Sequence, residues 1–269
     1  MTQLFTQIYS RDVSILKQYG DSHFKVVQMR FLRNKGFEIK NYKEKNSVNN
    51  EKLNNNISRA RATVAELGFC NLWDYFFTFT IDKRYYDRYN LKDFKKVLSQ
   101  WIRDYRKKYC IDIKYLLIPE QHEDGAWHFH GFLYGLPIEH LKQFKLGDTM
   151  GKYIADKVKN GNVIYNWTAY ENKFGFCSLE PIRNKEHAVK YITKYISKDL
   201  EKSVSELGAH MYFASQNLKR ADELKRGTLM CEIPVDFENE HCKVTNFESA
   251  IYTAEQLKGI ILGRYDTYE

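Results

Sequence analysis

The chain has 269 residues, a formal net charge of +8, 28% charged and 43% hydrophobic residues. That balance excludes a disordered polymer and supplies enough apolar surface for a sizeable core. No run of eighteen apolar residues exists, which excludes a helical membrane span, and the first twenty residues lack the apolar stretch of a secretory signal. Five scattered cysteines without a Cys-x-x-Cys predict reduced thiols in a cytoplasmic protein rather than a disulfide framework or a zinc ribbon. The positive charge favours polyanionic partners, and an aromatic share of 15% supplies rings on which single-stranded bases can stack.

In chain order, residues 23–33 alternate as a strand does, and the polar, Asn- and Lys-rich stretch 41–57 reads as a loop or linker. Ser58 is a plausible cap for a short helix closing at Gly68, whose Arg59 and Arg61 face either phosphate or solvent. Aromatic and β-branched residues make 74–82 a central strand. Leu91, Phe94, Leu98, Ile102 and Tyr105 give 90–109 one apolar helical face opposite a strongly basic one. Residues 111–121 and 125–135 read as a hairpin, followed by a short helix at 138–146 and strands in 161–170 and 174–182. A helix is predicted over 184–202, another over 215–227, strands near 230–235 and 240–247, and a last helix over 253–262. The order predicts an α+β fold, a central antiparallel β-sheet with helices packed on one face.

Within the hairpin, His128 and His130 alternate to the same face of their strand. Two imidazoles on one face suit a metal ion, and the neighbouring strand offers Glu120 as a third ligand. A two-residue turn at 124–125 would pair Glu120 with Phe129, on the wrong face. A three-residue loop at 123–125, with Gly125 in the left-handed position, pairs Glu120 with His128. Two histidines and a carboxylate suit Mg²⁺ or Mn²⁺ acting on phosphate, or Zn²⁺ or Fe²⁺ in other chemistry, with His122 close enough to substitute as a ligand.

Further on, Tyr191 and Tyr195 stand four residues apart, as do Lys194 and Lys198. On a helix each pair shares a face, so each phenol lies beside an ammonium that lowers the cost of forming phenolate. The alternative is an ordinary amphipathic helix with Ile192 and Ile196 inside and the Tyr and Lys residues half exposed.

Phe77-Thr78-Phe79-Thr80, then His128-Phe129-His130, then the Tyr-Lys stretch 191–198, in that order, resemble the three motifs of the rolling-circle replication initiators of the HUH endonuclease superfamily. Glu120, eight residues before the first histidine, matches the carboxylate of geminivirus-type initiators, and the doubled tyrosine is similar to that of microvirus initiators. The resemblance implies an HUH endonuclease with an RRM/ferredoxin-like core: one domain over 1–269 with extensions, a motif-bearing core at about 70–202 and a C-terminal extension over 203–269. It implies metal-dependent nicking of single-stranded or hairpin origin DNA, with a covalent 5′-phosphotyrosine and a freed 3′ hydroxyl. Glu120, His128 and His130 would hold Mg²⁺ or Mn²⁺; Tyr191 and Tyr195 would be the nucleophiles, Tyr195 the indispensable one, assisted by Lys194 and Lys198. No phosphate-loop motif of a helicase is present, so a host helicase and host replication proteins are the expected partners, in a bacterial cytoplasm. The alternatives are an HUH relaxase or single-strand transposase, a non-catalytic DNA-binding protein of the same fold, or a metalloenzyme for small molecules.

Overall fold

A computed structural model describes residues 9–21, 23–33, 50–196 and 211–263. The chain divides into two compact units, residues 1–47 with 219–269, and residues 48–218. The first is built on a long antiparallel hairpin of β1 (Tyr9–Tyr19) and β2 (His23–Arg33). Strand β10 (Asp222–Leu229) pairs with β1 and β12 (Cys242–Glu248) with β2, while β11 (Phe237–Glu238) and β13 (Ile261–Gly263) form the edges of a six-stranded sheet. Leu16, Phe24, Val26 and Phe247 make its core with Leu257 of the short helix α6 (Ala254–Gly259).

The second unit carries all three motifs. Its seven-stranded antiparallel sheet comprises β3 (Tyr75–Thr80), β4 (Lys114–Gln121), β5 (Trp127–Tyr134), β6 (Leu141–Gln143), β7 (Tyr165–Trp167), β8 (Cys177–Pro181) and β9 (Phe213–Ala214). Their order is β6-β7-β8-β3-β5-β4-β9, which puts β3, β5 and β4 side by side. Helix α2 (Leu91–Tyr109) starts where the Asn90 side chain accepts from the Asp93 amide and ends at Cys110 in a left-handed conformation. Its buried stripe of Phe94, Leu98, Ile102 and Tyr105 packs on Phe77, Phe79 and Phe129, together with Tyr170 and Phe174 of α4 (Thr168–Phe174). On the opposite face, Leu116, Ile118 and Phe132 pack against Ile57, Ala60, Val64 and Leu67 of α1 (Asn50–Cys70) and Val189 and Ile192 of α5 (Lys185–Ile192). A smaller cluster seats α3 (Lys152–Lys159) through Ile154.

The fold is α+β with antiparallel sheets. The chain has two sheets, and the helices of the larger one divide between its two faces. This is why β5 is buried almost end to end rather than alternating.

Several elements differ from the sequence reading. Helix α1 begins at Asn50, inside the stretch expected to be loop, and runs past Ser58 and Gly68; residues 41–49 lie outside the described residues. Its apolar stripe is buried by the sheet, and such packing outweighs weak intrinsic propensity. The segment expected as a helix at 138–146 is a 3-10 turn, Ile138–His140, followed by β6. Of 161–170 only Tyr165–Trp167 is strand before α4 begins. The helix expected over 215–227 is β10 from Asp222 on, because pairing with β1 satisfies its backbone. The last predicted helix ends at Gly259, and the chain then pairs as β13.

Candidate active site

The site begins with the β4–β5 hairpin. The His122 amide donates to the Ala126 carbonyl and the Gly125 amide to the His122 carbonyl, closing a three-residue loop over 123–125. Gly125 has φ +82, where a side chain would be strained. Asp124 braces the turn by accepting from the Ala126 amide and pairing with Arg88 at 2.8 Å. The resulting register sets Glu120 opposite His128 and Ile118 opposite His130.

On the other side of β5, Thr78 pairs with His130 and Thr80 with His128. Glu120, His128, His130, Thr78 and Thr80 therefore share one face of the sheet. Glu120 reaches diagonally, and its Oε2 lies 2.7 Å from His130 Nε2. The far nitrogen, His130 Nδ1, meets Thr78 Oγ1 at 3.1 Å. The His128 ring lies against His122, with centroids 4.0 Å apart.

These contacts fix the electrostatics. The hydrogen bond from His130 is the main reason the Glu120 carboxyl lies below its ordinary range, with the His122 and His128 rings adding to the effect. The carboxylate is ionised at neutral pH. Burial pushes His128 down to about 4, and the neighbouring His122 and His130 push in the same direction. His128 thus stays neutral through the physiological range, with a nitrogen lone pair free to donate.

Both tyrosines converge on this face, although α5 ends at Ile192 and passes into a 3-10 turn, Thr193–Tyr195. The Tyr195 ring stacks on His130, with centroids 4.1 Å apart and planes 15° from parallel. The Tyr195 hydroxyl donates to the Tyr191 hydroxyl at 2.8 Å. Tyr191 also meets the edge of Phe76, on the same strand as Thr78. Burial, then the contact with Tyr191, raises Tyr195 well above the ordinary phenol range, so its resting form is the neutral phenol. Lys194 is exposed, and its Nζ lies 5.8 Å from the centroid of the Tyr191 ring. Lys198 lies outside the described residues.

Two long cations hold the tyrosine segment. Arg61 Nε of α1 donates to the Ile196 carbonyl at 2.6 Å, directly after the 3-10 turn. At the other end, Lys185 Nζ of α5 donates to the Phe69 and Asn71 carbonyls at 2.8 and 3.3 Å. Arg61, offered by sequence as facing phosphate or solvent, does neither. The sequence reading also passed over Thr78 as a partner of His130, and over Tyr153 of α3, close enough to Tyr195 to contribute to its raised position. Thr78 was legible, since an even-numbered position on β3 had to share a face with one histidine or the other. Arg61 was not, because nothing local links residues 135 apart.

The donor set fits a divalent ion in kind: two imidazoles and an ionised carboxylate on one face. Among the described residues no three such groups stand together at metal-holding spacing, and Glu120 and His130 are engaged with each other. An ion would replace that hydrogen bond, because His130 Nε2 cannot both carry a proton and donate its lone pair. Thr78 accommodates either tautomer, since a hydroxyl both donates and accepts.

An antiparallel sheet bearing a His-x-His strand, a facing carboxylate and a pair of tyrosines defines a class of polyanion-directed phosphoryl chemistry more readily than a binding module. Residues 74–200, a little under half of the chain, match a family of replication-associated proteins, the ORF2 type. The match supports a rolling-circle, Rep-type replication initiator, and it begins and ends with the three motifs that build the site. Comparison with curated proteins and with solved structures gave no match. No helix among the described residues is long and apolar enough to cross a membrane.

Proposed function

We propose that this replication protein is an HUH-type nickase and strand transferase acting on single-stranded or hairpin origin DNA. The observation that carries the reading is the stacking of Tyr195 on His130, with the Tyr191 and Tyr195 hydroxyls 2.8 Å apart beside the Glu120–His130 pair. A tyrosine oxygen attacks the phosphorus of a phosphodiester, and the bond to the 3′ oxygen breaks. The phenol loses its proton to solvent, the 3′ oxygen takes one up, and the 5′ phosphate stays on tyrosine. One phosphodiester replaces another, so the step is reversible by a 3′ hydroxyl and suits later closure of a circle. Glu120, His128 and His130 would hold Mg²⁺ or Mn²⁺, which would supply charge to the transferring phosphate. Lys194, and Lys198 by its place in the motif, would offset the phenolate charge that the buried Tyr195 otherwise resists. Without a helicase motif in this sequence, a host helicase would extend the opened strand.

The test is covalent adduct formation with origin single strands in Mn²⁺. Adduct should form with the wild-type chain, vanish on chelation, and fall by roughly 100-fold or more in Glu120→Gln, since a ligand is lost outright. Adduct that is indifferent to both changes would remove the metal from the reading. No adduct on any single strand would remove the nickase itself.

Thr78 provides a finer check. Thr78→Val keeps the volume but removes the hydroxyl that orients His130. The Mn²⁺ concentration for half-maximal adduct should rise about 10- to 100-fold, with Thr78→Ser restoring it. An unchanged Mn²⁺ dependence in Thr78→Val would mean that the hydroxyl only packs.

A further inference from the structure

A basic groove of about 510 Å³ runs between α2 and the β4–β9 edge of the larger sheet, away from the tyrosines. Lys95, Lys96, Arg103 and Arg106 line one wall, and Tyr115 and Tyr212 belong to the other. Arg106 is neutralised by Asp112 at 2.5 Å. Lys95, Lys96 and Arg103 have no carboxylate partner among the described residues; Arg103 meets only the Gln100 side chain, and Lys95 lies over the Phe213 ring at 4.9 Å. Helix α2 as a whole carries seven cations against two carboxylates. The fold does not require this excess, because α2 is anchored by its apolar stripe alone.

Unpaired cations gathered in one groove repel one another and are relieved by an anion. Tyr115 and Tyr212 are half-buried, each leaving part of its ring at the surface. Cations that follow phosphates, interleaved with rings on which bases stack, are what grooves for single-stranded nucleic acid combine. Tyr115 precedes Glu120 by five residues on β4, about 17 Å along the strand, so the groove lies beyond reach of the reacting groups.

We propose that this groove binds the backbone of single-stranded DNA outside the nick site and anchors the strand while the tyrosines act. The inference rests on the DNA-directed reading above but not on its chemistry.

The experiment measures binding of a labelled oligothymidylate of about twenty nucleotides to the full chain in chelator, across a salt series. The triple variant Lys95→Ala/Lys96→Ala/Arg103→Ala is compared with Lys92→Ala/Lys107→Ala/Lys108→Ala, which removes the same charge from α2 outside the groove. The groove variant should bind at least about 10-fold more weakly at moderate salt, and its slope of log affinity against log salt should flatten by about 2. The control should change less than about 3-fold. Equal losses in the two triples, no loss in the groove triple, or displacement of the oligonucleotide by polyglutamate as readily as by DNA would each overturn the proposal. Adduct formation on a short strand covering only the nick site is read in parallel in Mn²⁺. Groove-independent binding with adduct intact overturns the groove alone; groove-dependent binding with no wild-type adduct overturns the nickase alone.

Discussion

Replacing Tyr191 and Tyr195 together with phenylalanine should abolish covalent attachment to DNA, by on the order of 10⁴-fold or more, since no other phenol is proposed to attack. Folding should be nearly unaffected. The two hydroxyls bond to each other, so removing both leaves no unsatisfied partner. Both rings keep their stacking on His130 and Phe76. The single variants then separate the roles. Tyr195→Phe should lower the first nick about 100-fold, because the Tyr195 ring is the one stacked on His130. Tyr191→Phe should lower it by about 10-fold or less, yet impair transfer to a second strand if the hydroxyls alternate. Adduct yield on denaturing gels and circle closure from a covalent intermediate measure the two steps. Full adduct in the double variant would remove both tyrosines from the mechanism.

Gly131→Ala should be the most destabilising single-methyl change in the larger unit. Gly131 follows His130 on β5, and a methyl there would lie 2.1 Å from the Leu116 carbonyl oxygen and 2.6 Å from the Phe77 ring. The carbonyl belongs to the neighbouring strand and cannot rotate away. Relieving it means spreading β4 from β5, at a cost of about 3 kcal/mol or more. All four tryptophans, Trp73, Trp101, Trp127 and Trp167, lie in this unit, so tryptophan fluorescence follows it alone in the intact chain. The urea midpoint should fall by about 1–2 M. Adding Phe77→Leu should recover only part of the loss, because it frees the ring contact and leaves the carbonyl. Full recovery would show that the ring, not the strand spacing, sets the limit.

The part of the site written in local sequence is the hairpin. Gly125 at the left-handed position of a three-residue loop forces Glu120 opposite His128, and the two-residue period of a strand puts His130 on the same face. The central strand β3 and the basic, amphipathic α2 were also legible, since their periodicity and caps lie within a few residues. The matched family segment falls on these same elements.

Tertiary structure alone decided what non-local partners supply. Helix α1 forms back to Asn50 through an Asn-rich stretch because its apolar stripe is buried on Leu116 and Phe132. Residues 222–229 look helical in isolation and become a strand because β1, some two hundred residues earlier, offers its edge. The tyrosines meet the histidines only because Arg61 and Lys185 tie α5 to α1 and the helix tightens into a 3-10 turn at Tyr195. Short-range geometry fixes which side chains share a strand face. The path of a helix across that face depends on contacts made between residues far apart in the chain, and no local pattern encodes them.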